Sequence, residues 1–144
     1  MRALLDTSVL VAALVEVHPR HAQAFPWLLR LRRGEVEGMI AAHSVAEVYA
    51  VLSTLPVSPR ITPSAAWALV EHSILPFAEA IHLTASETAL AVQRVSRQGL
   101  TGGIVYDALI AEAARKGGAE CIVTLNAGDF QRVASGDPLE IREP

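Results

Sequence analysis

The chain has one cysteine, Cys121, so it cannot close an internal disulfide. Cys121 sits in the apolar stretch Cys121-Ile122-Val123, where a thiol reads as a buried, inert core group. No apolar run approaches the ~20 residues that a membrane helix needs. An acid at position 6 comes too early for a secretory leader, and a cytoplasmic location is expected. Basic charge is also scarce. The net charge is −3, with Lys116 the only lysine, and this argues against a binder that holds nucleic acid by bulk electrostatics. Gly102-Gly103 lacks the lysine and the spacing of a phosphate-cradling loop. There is no internal repeat, low-complexity tract or linker.

What is present is a chain that is 51% hydrophobic, and its 144 residues are expected to form one domain, 1–144, around a real core. Short apolar segments alternate with amphipathic ones. Strands are expected at Arg2–Asp6, Met39–Ala42, Ala80–Leu83 and Ala119–Thr124, with an edge strand at Leu139–Ile141. Helices are expected from Thr7 to about Val15, at Ser44–Leu55, from Thr62-Pro63 to near His72, from Thr84 to about Gln98, at Ile104–Arg115, and briefly after Asn126. Another follows the turn His18-Pro19-Arg20, its apolar face made by Phe25, Leu28, Leu29 and Leu31. This alternation implies an α/β fold of three layers, with a short, mostly parallel central sheet flanked by helices.

Only four aspartates occur: Asp6, Asp107, Asp129 and Asp137. Asp137 lies in the turn Gly136-Asp137-Pro138, whereas the other three adjoin apolar segments, where an unpaired carboxylate is costly to bury. Asp6, Glu47 and Asp129 each follow a strand. In a doubly wound sheet they converge on the carboxyl edge, where sites form. Asp107 follows no strand, and topology alone does not place it.

Each acid also has an ordinary structural reading. Ser44-x-x-Glu47 spells a capping box, as does Thr84-x-x-Glu87. Asn126-x-x-Asp129 spells a helix cap with an acid in the first turn. Together, however, clustered carboxylates repel unless a cation joins them, and hard oxygen donors suit Mg²⁺ or Mn²⁺. Such a centre serves phosphodiester hydrolysis by activated water. No covalent nucleophile stands out, and His18 and His21 read as a solvated turn.

Four blocks carry a family resemblance: Leu4-Leu5-Asp6-Thr7-Ser8-Val9-Leu10, Ser44-Val45-Ala46-Glu47-Val48, Tyr106-Asp107-Ala108-Leu109-Ile110-Ala111, and Val123-Thr124-Leu125-Asn126-Ala127-Gly128-Asp129-Phe130. In these the chain resembles the PIN-domain family and, within it, the VapC-like toxins of toxin–antitoxin pairs. The resemblance implies a Mg²⁺- or Mn²⁺-dependent endoribonuclease acting on RNA. It also implies a homodimer and a small cognate antitoxin whose tail enters the active-site groove. By matching position, Asp6, Glu47 and Asp107 are the acidic metal ligands, and Ser8 and Thr124 are pocket hydroxyls that orient a carboxylate or a water. Where the family often has aspartate, this chain has Asn126, so Asp129 or the Asn126 amide is the fourth site residue. Arg94, Arg97, Arg115 and Lys116 are the candidates for local RNA recognition, with a solvated helix face the ordinary reading for most of them.

Three alternatives stand beside this reading. A PIN domain can be retained as a partner-binding module with weak catalysis. A receiver-like Mg²⁺-binding signalling domain would want paired acids at the first strand end, and a phosphatase with a nucleophilic aspartate would want a second acid where Ser8 stands.

Overall fold

The computed structural model describes residues 1–144. Its strands are β1 (Arg2–Leu5), β2 (Glu37–Ala41), β3 (Ala78–Ile81), β4 (Cys121–Val123) and β5 (Glu140–Arg142). Its helices are α1 (Thr7–Leu14), α2 (His21–Arg32), α3 (Ser44–Thr54), α4 (Pro63–Ser73), α5 (Ala85–Arg97), α6 (Ile104–Gly117) and α7 (Ala127–Val133). All strand pairs are parallel, in the order β3-β2-β1-β4-β5. The chain builds outward from β1 through β2 to β3, then crosses to the other side for β4 and β5. The order therefore reverses between β1 and β4, the place at whose carboxyl edge such folds build their sites.

Strand side chains alternate between two cores. Ala3 and Leu5 join Ile40, Cys121 and Val123 under α1–α4. Leu4 joins Met39, Ile81 and Ile122 under α5–α7. Leu4, Leu5, Ile40 and Ile122 are fully or almost fully buried, and this accounts for the continuous apolar runs that mark the inner strands.

Several boundaries differ from the sequence reading. β3 starts two residues earlier, at Ala78, because it is an edge strand and carries the exposed Glu79. β2 takes in Glu37 and Gly38, two residues before the expected start at Met39, and ends at Ala41. In α2 the buried face is Ala24, Trp27, Leu28 and Leu31, while Phe25 faces outward and stacks on the His21 ring. Helix α6 runs on to Gly117 before Gly118 ends it with φ of 70°, a left-handed conformation that glycine adopts without a Cβ penalty. A Cβ on Gly117 would stand 2.6 Å from Met39 Sδ, so this glycine lets α6 lie close on β2.

Candidate active site

Asp6 leaves β1 and caps α1. Its backbone N–H donates to Val123 O at 3.0 Å, which fastens the strand end to β4. The residue is 96% removed from solvent, and its carboxylate is held through one oxygen. Oδ2 accepts from Ser8 Oγ at 2.5 Å, from Thr124 Oγ1 at 2.9 Å, and at longer range from the Ser8 amide. Each hydroxyl in turn accepts a backbone N–H: Leu125 N donates to Ser8 Oγ at 3.1 Å, and Asn126 N to Thr124 Oγ1 at 2.9 Å. These amides orient both hydroxyl protons toward Asp6. Oδ1 has no hydrogen-bond donor from the chain.

Glu47 reaches the same edge from α3, and not as a helix cap. His43 occupies the cap position, so the helix starts at Ser44 and Glu47 falls one residue beyond the place a capping box requires. Ser44 Oγ is buried without a partner. Glu47 Oε2 accepts from Thr7 Oγ1 at 3.1 Å. His43 Nε2 stands 2.9 Å from Glu47 Oε1, close enough to pair if protonated, at an angle that makes no hydrogen bond.

Asp107 arrives from the first turn of α6. Partial burial and then the negative fields of Asp6, Asp129 and Glu47 push its carboxyl up to about 6, so the four acids share one electrostatic neighbourhood. Asp129, in the first turn of α7, is exposed at the rim, with Arg132 3.6 Å away. No lysine or arginine pairs with Asp6, Glu47 or Asp107. No three of the acids and imidazoles converge tightly enough to form a ready ion cage. Asn126 stands at the cap position of α7, but its side chain makes no capping bond. It contributes its backbone N–H to Thr124 instead.

Of the four candidate bases, three are engaged in ion pairs within the chain. Arg94 and Arg115 both hold Glu112, Arg115 also forks onto Asp137, and Lys116 pairs with Glu87. They tie α5 and the Asp137 turn to α6, because their helices pack side by side. Cys121 is buried and its thiol pushed up, as expected of a core group. Thr7 and His43 went unnoticed in the sequence, although His43 lies four residues before Glu47, a spacing that puts both on one helix face.

The class defined here is a parallel α/β domain with a carboxylate-rich edge where its strand order reverses. The PIN domain family model matches residues 3–136, and the chain belongs to the PIN-domain family. Ribonuclease VapC27 of Mycobacterium tuberculosis is 38% identical over 118 residues, 81% of this chain and 79% of that one. Ribonuclease VapC40 of the same species is 32% identical over 117 residues, 81% of each chain. In fold, the chain matches the VapBC2 structure from Rickettsia felis, bound to a promoter DNA fragment. The TM-score is 0.66 at 21% identity, covering 99% of this chain and 98% of that one. It also matches the Mycobacterium tuberculosis toxin VapC20, which cleaves the Sarcin-Ricin loop. There the TM-score is 0.67 at 22% identity, covering 94% and 95%. Family membership sets aside the receiver-like and nucleophilic-aspartate alternatives.

Proposed function

We propose that residues 1–144 act as one PIN unit, a cytoplasmic metal-dependent endoribonuclease that serves as the toxin of a toxin–antitoxin pair. The observation that carries the reading is the charge imbalance. Asp107 is pushed up to about 6 among Asp6, Asp129 and Glu47, and Asp6, Glu47 and Asp107 have no lysine or arginine partner. The relatives named as ribonucleases support RNA as substrate, and the VapBC2 complex supports a small antitoxin partner. A homodimer belongs to the same proposal.

The donor set fits a hard divalent cation, since it consists of carboxylates with an open oxygen on Asp6. Asp6, Asp107 and Glu47 would hold Mg²⁺ or Mn²⁺, with Asp129 at the rim. When bound, the ion neutralises the scissile phosphate and lowers the pKa of the attacking water. Ser8 and Thr124 hold the Asp6 carboxylate in place by donating to Oδ2. Thr7 steers Glu47 toward the same edge.

The test is cleavage of a panel of structured and single-stranded RNAs in Mg²⁺, Mn²⁺ or EDTA, with the cut ends mapped. Defined cuts that vanish in EDTA are expected. A second reading, a domain kept mainly for partner binding, is favoured by the lack of a preformed cage. Binding of a partner without metal-dependent cleavage of any RNA would select it.

A further inference from the structure

Beside the carboxylates runs a groove of about 430 Å³, and Glu47 lines both. Its floor is Ala41, Ala42 and Ile81 at the ends of β2 and β3. Its walls are Leu109 and Tyr106 from α6, with His43 from the start of α3. His82 and Thr88 line it as well. We propose that this groove takes the nucleobase of an unstacked nucleotide next to the scissile phosphate, with Tyr106 as its stacking surface; this rests on the ribonuclease reading above.

Three observations point to a base. First, Tyr106 is 59% exposed, although it immediately precedes Asp107 in the first turn of α6. Its ring contributes little to the core, yet it borders an apolar slot, which is how aromatic side chains receive single-stranded bases. Second, the slot offers polar edges that the protein does not use. His43 Nε2 is buried 2.9 Å from Glu47 Oε1 and is not among them. The side chains of His82 and Thr88 make no hydrogen bond within the chain, although Lys116 Nζ anchors the His82 carbonyl at 2.9 Å. A flat molecule with apolar faces and hydrogen-bonding edges satisfies both walls and rim. Third, no lysine or arginine lines the groove and Glu47 does, so a phosphate is unwelcome there. The phosphate belongs at the carboxylate edge, where a cation balances it, and the attached base falls into the adjoining slot.

The probe is a set of short single-stranded oligoribonucleotides with 2-aminopurine moved through successive positions. Each is bound without metal to the Asp107→Asn chain. One position is expected to show a strong fluorescence quench. Adding Tyr106→Ala should remove the quench and weaken binding about tenfold, whereas Tyr106→Phe should preserve both. With the otherwise wild-type chain, an abasic nucleotide at that position should slow metal-dependent cleavage about tenfold. The Tyr106→Ala chain should cut abasic and intact RNA alike. If the wild-type chain cuts both at one rate and no position quenches, the groove is not a base site while the ribonuclease reading stands. A position-specific, Tyr106-dependent quench with no cleavage of any RNA would keep the base site and overturn the ribonuclease reading. If the groove is instead protected from hydrogen exchange only by a partner protein's helix, it is a protein-docking face and the proposal fails.

Discussion

The two ends of the sheet handle acidic residues in opposite ways. At the amino end, Arg2 stands 3.2 Å from Glu37 and 3.6 Å from Glu79, and its backbone N–H donates to Glu120, which also lies 3.9 Å from the chain's amino terminus. Every acid there has a cation nearby. At the carboxyl end, Asp6 and Glu47 rest on hydroxyls, and Asp107 makes no hydrogen bond to a basic group. Hydroxyls can orient a carboxylate but cannot neutralise it. An acid cluster that a fold leaves uncompensated on one end, while pairing its acids on the other, is the imbalance on which the proposed function rests.

The largest effect expected is on cleavage. Asp6→Asn or Asp107→Asn should reduce metal-dependent RNA cleavage by more than the ~10–100-fold that a lost outer partner of a metal site costs. Arg2→Ala, at the opposite end, should leave cleavage unchanged and cost under about 1 kcal/mol, as exposed ion pairs do. Cleavage by Asp6→Asn at the wild-type rate would erase the difference between the two ends.

The hydroxyl brace comes next. Thr124→Val keeps the side chain's shape, but strands the Asn126 amide and removes a donor from Asp6. It should cost about 1–3 kcal/mol in urea unfolding and lower cleavage roughly 10–100-fold. Loss of stability without loss of cleavage would make Thr124 a purely structural clamp.

A smaller effect sharpens the charge argument. The Asp107 carboxyl is raised from 3.8 in the unfolded chain to about 6 in the folded one. Between those values the folded state holds more protons, so stability falls as pH rises from about 4 to 6 and then levels off. Asp107→Asn should abolish this slope and, in chelator, leave the chain more stable at neutral pH. The gain should be on the order of 1 kcal/mol, because water still screens the half-buried group. Denaturant unfolding at several pH values reads it directly, and a wild-type slope retained in the variant would deny Asp107 its place among the acids.

The smallest effect concerns the rim. Asp129→Asn should raise the Mg²⁺ concentration for half-maximal cleavage several-fold, since Asp129 is exposed and partly answered by Arg132. An unchanged titration would leave Asp129 as a first-turn helix acid.

The two capping-box patterns show how far local spelling carries. Thr84-x-x-Glu87 forms both reciprocal bonds, Glu87 N to Thr84 Oγ1 at 3.2 Å and Thr84 N to Glu87 Oε2 at 2.7 Å. Ser44-x-x-Glu47 forms neither, because α3 begins at Ser44 and shifts Glu47 one position along. The pattern was legible in both places, but the helix start was not, since the loop leaving β2 sets it. Asn126 teaches the same point: it stands where a cap stands, yet only its amide is used.

By itself the sequence determined the alternation of strands and helices, the parallel sheet, and the apolar runs of β1 and β4. These follow from hydrophobic period and length, which each segment carries locally. It also marked Asp6, Asp107 and Asp129 as carboxylates beside apolar segments, where burial is costly, and placed Asp6, Glu47 and Asp129 after strands. Only the tertiary structure brought Asp107 to them. That residue follows no strand, and its meeting with Asp6 depends on how α6 lies across β2, with Gly117 allowing the close approach. The hydroxyl brace is likewise a product of strand order. Ser8 and Thr124 are 116 residues apart in sequence, and they share Asp6 only because β4 pairs directly with β1.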